Sequence, residues 1–445
     1  MATSLRFPDG FLWGAATSAH QVEGGQDNDW TEWEKLGRVK NGERSGAACD
    51  HWHRYISDFE LAKSLGHTSH RFSLEWSRIE PLPGQWNEPA LEHYREVVRA
   101  IRAKGIEPFV TLWHFTNPRW FAERGGWAAN DAYQLFSKYV ATAIQALPEV
   151  KFWLTVNEPN VYALLSYGLG YWPPEAKSWV RARRALTNLI RAHHSAAETV
   201  RRLAPGAMVG FAQNLVDFEP RHSGILLDRW ATRVSDYQFN RRWLERTAAS
   251  VDFIGVNHYH HQRIRFGGLR QLIVNEPQGQ PQTDSGWQIF PESMYRVLKI
   301  AAEYGKPIYI TENGLADASD KLRISFIRDY LVQVHRALAE GIEIRGYFYW
   351  SLLDNFEWRE GRSQKFGLVE VDFTTQRRRL RPSAKWFTDL CRKNSLVLPT
   401  HQKAPGVSPR DEWFASGLSV RGSALRRPER ADTPSVSSGS ASPDA

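Results

Sequence analysis

The chain has 445 residues, 42% of them apolar, a length that an α/β barrel carries as one unit. A net charge of +8 is modest for this length, and a nucleic-acid surface needs its charge concentrated on one face. The two cysteines, Cys49 and Cys391, are too far apart in sequence for a disulfide framework or a metal-binding spacing, and no run approaches the ~20 apolar residues of a membrane span.

In chain order, the opening "MATSLRFPDGFLWG" lacks the charged start, apolar stretch and cleavage site of a signal peptide, so a reducing, cytoplasmic setting is expected. Apolar, β-branched and aromatic runs then predict eight strands. They are "FLWGAATS" from Phe11, "TSHRFSLEW" from Thr68, "EPFVTLWH" from Glu107, "KFWLTVNE" from Lys151, "AMVGFAQN" from Ala207, "VDFIGVNHY" from Val251, "KPIYITEN" from Lys306 and "RGYFYWSLLD" from Arg345. Helical stretches separate them, among them Pro89–Lys104, Asp131–Leu147, Ser178–Leu203 and Leu322–Glu340. Eight strands alternating with helices predict a single (β/α)8 TIM barrel over residues 1–398. No G-x-G-x-x-G follows the first strand, which argues against a doubly wound open sheet. From about His401 the composition turns to Ser, Pro, Ala, Gly and Arg, and residues 399–445 are expected to be a disordered tail.

Strand after strand ends in polar or aromatic residues: Gln21, Glu75 with Trp76, His114, Asn157 with Glu158, Asn257 to Tyr259, Glu312 with Asn313, and Trp350 with Asp354. In a barrel these ends meet on one face. A lone strand-end Glu is an ordinary rim residue. Two of them, Glu158 and Glu312, on the fourth and seventh strands, form a pair across the mouth, the arrangement that cuts glycosidic bonds. One carboxyl has to be protonated to assist the leaving oxygen, the other ionised. Nineteen Trp would suit core packing, base stacking or sugar-ring faces alike.

The segments "FPDGFLWGAATSAHQVEG", "DHWHRYISDFELAKSLG", "HRFSLEWSRIEP", "TVNEPN", "TDSGWQIFPESMYRVL", "ITENG", "WSLLDNFEWREGRSQKFGLVEVDF" and "RPSAKWF" occur in this order. The sequence thereby resembles glycoside hydrolase family 1, the retaining β-glucosidase and β-galactosidase family. The resemblance implies hydrolysis of terminal β-D-glycosyl residues by double displacement, on a small β-glycoside or oligosaccharide. It implies Glu312 of "ITENG" as nucleophile and Glu158 of "TVNEP" as general acid and then base, with Asn157 on the sugar 2-hydroxyl. Arg71 and Tyr259 would flank the nucleophile. Gln21, His114, Trp350, Glu357 and Trp358 would hold the sugar, with an ionised Glu357 repelling a 6-phosphate. Retention requires the two carboxyls ~5–5.5 Å apart. Neither a cofactor nor a metal is implied. "HWH" (His51 to His53) and "HYHH" (His258 to His261) lack the spacing of H-E-x-x-H, although His258 and His260 share a strand face.

Departures from that pattern bear on the leaving group. Phe115 stands where the family usually has Trp, and Trp172 where a His is common. Between the fifth and sixth strands "FNRRWLERTAASVDFIGVNHY" runs almost directly into the strand, from which a more open aglycone side is expected. Two other outcomes remain at this level: transglycosylation through the same residues, or a sugar-binding barrel with weak activity. "RARR" (Arg181 to Arg184) and "RRRLR" (Arg377 to Arg381) read as solvated faces, so neither nucleic acid nor membrane is an expected partner. The oligomeric state cannot be read from the chain.

Overall fold

The structure, a computed structural model, describes residues 4–267 and 281–398; the expected tail at 399–445 lies outside the described residues. The eight expected strands close into a parallel barrel: β1 (Leu12–Ala16), β2 (Ser69–Ser73), β3 (Glu107–Thr111), β4 (Phe152–Asn157), β5 (Met208–Asn214), β6 (Ile254–Asn257), β7 (Ile308–Asn313) and β8 (Ile344–Trp350). Closure is direct, with Ala16 of β1 beside Trp350 of β8 on one side and Arg71 of β2 on the other. Several strands stop short of the expected span: β3 ends at Thr111, and of the "LWH" that follows, His114 lines the mouth while Leu112 and Trp113 pack into the outer core.

The helices α1 (His51–Ser64), α2 (Glu88–Ala103), α3 (Ala132–Ala146), α4 (Trp179–Leu203), α5 (Leu226–Asp236), α6 (Arg242–Thr247), α7 (Glu292–Ala302), α8 (Arg323–Ala339) and α9 (Pro382–Lys393) surround it. In α2, Asn87 caps the start by accepting from the Ala90 N–H at 3.3 Å, and Leu91, Tyr94, Val98 and Ile101 recur at helical spacing on the buried face.

Inside, the barrel floor is aromatic. Phe109 stacks on Phe152 at 4.2 Å and meets Phe348 at 4.8 Å and Tyr309 at 5.1 Å. Each fully buried ring of this size contributes about 1.5–3 kcal/mol. Small residues make room above it: a Cβ on Gly255 would lie 2.4 Å from the Phe211 carbonyl oxygen and 2.9 Å from Thr311.

The stretch between β5 and β6 differs from its expected form. It holds a short strand, Asp217–Pro220, then α5 and α6, and the strand pairs in parallel with His261–Ile264 just past β6. The helix escapes a reading of apolar periodicity because α5 buries Asp228, Ala231 and Thr232 while Leu226, Leu227 and Trp230 are exposed.

Candidate active site

In β4, Leu154 faces the barrel interior, Thr155 hydrogen-bonds His193 of α4 at 2.7 Å, and Val156 joins the outer core. Asn157 then turns inward to accept from Arg71 at 2.6 Å. Two successive outward residues amount to one slip in the ladder, and the pairing with β5 is irregular between Leu154 and Asn157. Glu158 follows with a left-handed φ of 42°, its N–H donating to the Ala212 carbonyl at 2.7 Å, and Pro159 opens a short helix, Pro159–Tyr162. A non-glycine residue in this region stores about 1–3 kcal/mol of strain.

The slip in β7 has the opposite sense. Tyr309 faces in and Ile310 out, but Thr311 and Glu312 both face in, and Asn313 faces out to accept from the Tyr347 hydroxyl at 2.9 Å. The register breaks between Ile310 and Glu312 against β6, and between Ile310 and Asn313 against β8. With Thr311 inward, strict alternation would have sent Glu312 toward the helices. The local irregularity brings its carboxylate to the mouth.

Arg71, fully buried, holds this centre together. It ion-pairs with Glu312 Oε1 and donates to Asn157 Oδ1 and to Thr111 Oγ1, the latter at 3.1 Å. Tyr259 donates its hydroxyl to Glu312 Oε2 at 2.7 Å. Glu158 Oε1 accepts from Asn257 Nδ2 at 2.9 Å and from Asn214 Nδ2 at 3.0 Å, and Asn257 Nδ2 also reaches Asn157 Oδ1 at 3.2 Å. Glu312, Arg71, Asn157, Asn257 and Glu158 thus form one continuous polar chain.

The two carboxyls sit in unlike surroundings. Burial, and after it the charge of Glu312, push Glu158 up to about 7, against the opposing pull of the two amide donors. A cation and a phenol face Glu312; among the described residues no cation makes a hydrogen bond or ion pair with Glu158. Glu357 departs from its expected state. Burial first, then Glu312, push it up to about 8, so near neutral pH it mostly keeps its proton, and a fixed negative charge against a 6-phosphate does not follow from this residue. Gln21 Nε2 donates to Glu357 Oε2 at 3.1 Å. His114, driven well below the ordinary histidine range by burial and by Arg71, is neutral and takes an amide hydrogen of Asn157 on Nε2 at 3.1 Å.

Gln21, His114, Asn157, Glu158, Tyr259, Glu312, Trp350, Glu357 and Trp358 all line one cavity of about 350 Å³, with Arg71 behind it. Phe115 and Trp172 line it too, their rings 5.0 Å apart. The side expected to be open carries Val216, Phe218 and Phe239, from the stretch expected to be shortened and to run almost directly into β6. Asn214 and Asn257 had no assigned part; their signal was position alone, each closing a strand. Asp354, by contrast, is a fastener: with Arg381 it makes hydrogen bonds of 2.9 and 3.1 Å, and it accepts from the Gly367 N–H at 2.9 Å, which braces the loop carrying Glu357.

The remaining motifs are structural. Arg378 and Arg381 of "RRRLR" are buried in ion pairs with Asp58 and Asp354, not solvated. His51 pairs with Asp58, His258 bonds Ser293 and the Leu215 carbonyl, and His261 pairs with Asp217. Among the described residues no three His, Cys, Asp or Glu side chains are placed to hold a metal, and no helix is long and apolar enough to cross a membrane.

Known proteins match this chain over most of its length. The sequence model of glycosyl hydrolase family 1 matches residues 3–247 and 230–396, two pieces that overlap in the stretch between β5 and β6. β-Glucosidase A of Thermotoga maritima is 33% identical over 440 residues, covering 88% of this chain and 99% of the relative. The β-glycosidase from Pyrococcus horikoshii superposes with a TM-score of 0.84 at 38% identity, over 88% of this chain and 96% of that one. The β-glucosidase from Thermotoga maritima in complex with glucoimidazole gives 0.83 at 33% identity, over 87% and 99%.

Proposed function

The chain belongs to glycosyl hydrolase family 1 and is a β-glucosidase-type O-glycosyl hydrolase, and from that premise we propose that Glu312 and Glu158 carry out a double displacement on terminal β-D-glucosides. Galactosides and fucosides are secondary substrates. The observation that carries this reading is the contrast between the two carboxyls in one cavity: Glu312 against a guanidinium and a phenol, Glu158 with its proton held up to about 7. Glucose fits as the sugar because relatives over the whole barrel are β-glucosidases and one binds glucoimidazole.

In the first step the Glu312 carboxylate attacks the anomeric carbon, the bond to the leaving oxygen breaks, and the Glu158 proton passes to that oxygen. A glycosyl ester of Glu312 and a free alcohol result. In the second, Glu158, now ionised, takes a proton from water; the water oxygen attacks the anomeric carbon and releases Glu312. Gln21, His114, Asn157 and Glu357 hold the sugar hydroxyls, Trp350 and Trp358 the ring's apolar face. A cytoplasmic setting suits the unpaired, buried Cys49 and Cys391.

Initial rates on matched 4-nitrophenyl β-glycosides (gluco, galacto, fuco, manno and 6-phosphogluco) test the reading, with the first sugar formed followed by proton NMR. The expected result is fastest turnover of the glucoside with β-glucose appearing first. The α-anomer appearing first would remove the double displacement.

A further inference from the structure

Sugar chemistry accounts for only part of the cavity. Besides Gln21, His114, Asn157 and Glu357 the lining includes an apolar group: Val161, Leu164, Leu165, Val216, Phe218 and Phe239. These side chains come from the segments that carry the Glu158 end of the site. Val161 lies within a turn of Glu158, and Val216 follows Asn214, which donates to Glu158 at 3.0 Å. An acid has to reach the oxygen that leaves, so whatever touches these residues is on the leaving-group side.

The wall is built with local irregularities. Leu164 and Leu165 belong to one π-helical turn, Ala163–Gly168, and Phe239 to another, Tyr237–Arg241. Such turns are rare, and they concentrate at functional sites because the extra residue re-aims the neighbouring side chains. The second turn is clamped from behind. Its Phe239 carbonyl accepts from Asn160 at 3.0 Å and Gln213 at 3.2 Å, and Asn240, wholly buried, exchanges hydrogen bonds of 3.0 and 2.8 Å with the Val216 backbone. Phe239 also falls within residues 230–247, where the two pieces of the family match overlap, so this part of the wall stands where the chain departs from the continuous family pattern.

Apart from Asn214 and the sugar-side and carboxyl groups, the polar side chains on the lining among the described residues are Gln262, His260, Tyr259, whose hydroxyl is taken up by Glu312, and the single indole N–H groups of Trp172 and Trp287; burial holds His260 down at about 3, and its ring sits 4.2 Å from Trp287. A second sugar here would bury hydroxyls against carbon, at a cost for each one left unpaired. A hydrocarbon would gain from the same contact.

We infer that the leaving-group side takes an apolar aglycone, alkyl or aryl, rather than a second sugar, with Leu164, Leu165, Val216, Phe218 and Phe239 as its wall. The inference rests on the proposed hydrolase reading. Methyl, butyl, hexyl and octyl β-D-glucosides test it, because their leaving groups differ in length and hardly in acidity; cellobiose and β-D-glucosyl fluoride accompany them. In the wild-type enzyme kcat/KM should rise about threefold per added CH2 until the wall is covered, and octyl glucoside should exceed cellobiose at least tenfold. In Leu165→Gln and Phe239→Gln the rise with chain length should flatten. Turnover of glucosyl fluoride with cellobiose preferred, or with no dependence on chain length, would overturn this inference alone. Absence of glucosyl fluoride turnover would bring down the hydrolase reading, and this inference with it.

Discussion

Tyr259 donates its hydroxyl to Glu312 Oε2 at 2.7 Å, on the carboxylate's other oxygen from the one paired with Arg71. Burial first, then the charge of Glu312, push the phenol well above its ordinary range, so it remains a donor at every working pH. Loss of a hydrogen bond to a charged group costs about 1.5–3 kcal/mol. Tyr259→Phe should therefore lower kcat about tenfold to a hundredfold with little change in KM. Steady-state kinetics on 4-nitrophenyl β-glucoside decide it; an unchanged kcat would mean the bond is absent when chemistry occurs.

Glu312→Ala removes the group proposed to form the ester. Its hydrolysis of aryl glucosides should fall by four or more orders of magnitude while circular dichroism remains that of the wild type, since Arg71 keeps its bonds to Asn157, Thr111 and the Thr311 carbonyl. Turnover within tenfold of the wild type would move the nucleophile elsewhere.

The Glu158 carboxyl sets the alkaline limb of the pH profile. With its pKa pushed up to about 7, kcat/KM for substrates that need protonation should fall as pH rises through that value. Asn214 and Asn257 lower it by bonding the ionised form. Asn214→Ala should shift the limb to higher pH by about one unit, and a shift to lower pH would reverse the assigned sign.

How far all this is legible in the sequence depends on the length scale. Eight strands and four long helices announce themselves through periodicity over many residues. The proposed catalytic pair is legible because both Glu residues end apolar runs. Their orientation is not: each depends on a one-residue slip, at Thr155–Val156 and at Thr311–Glu312, that pattern reading cannot see. The environment of Glu357 is equally hidden, because its raised pKa comes from burial by residues of distant segments. The wall around Phe239 escaped because α5 exposes its apolar residues and buries small polar ones.

Stability should peak near neutral pH, from opposing sets of buried groups. Burial pushes Asp29 and Glu158 up to about 7 and Glu357 to about 8. The folded chain keeps those protons where the unfolded chain has lost them, so stability falls as pH rises toward 8. Burial holds His67, His193 and His260 down at about 3, and His70 and His114 well below their ordinary range. Unfolded histidines bind protons below about 6.5, so stability from these neutral rings is lost as pH falls beneath that value. Thermal melts should give a Tm between pH 6.5 and 7 a few degrees above those at pH 5 and pH 8.5. A Tm still climbing from pH 7 to pH 9 would contradict the protonated carboxyls.

Glu158→Gln separates the two halves of the reaction. Its amide keeps the size of the side chain and cannot protonate a leaving oxygen. A 2,4-dinitrophenolate leaves without help, so its kcat/KM should stay within about tenfold of the wild type, while that of methyl β-glucoside should fall by about 10²–10⁴. The second step loses its base as well, so kcat for the dinitrophenyl substrate should drop even though kcat/KM does not. Ester on Glu312 then accumulates, visible as a burst of dinitrophenolate. Azide, a nucleophile that needs no base, should restore kcat and yield the β-glucosyl azide. A uniform loss across all leaving groups, with no burst, would make Glu158 a structural residue.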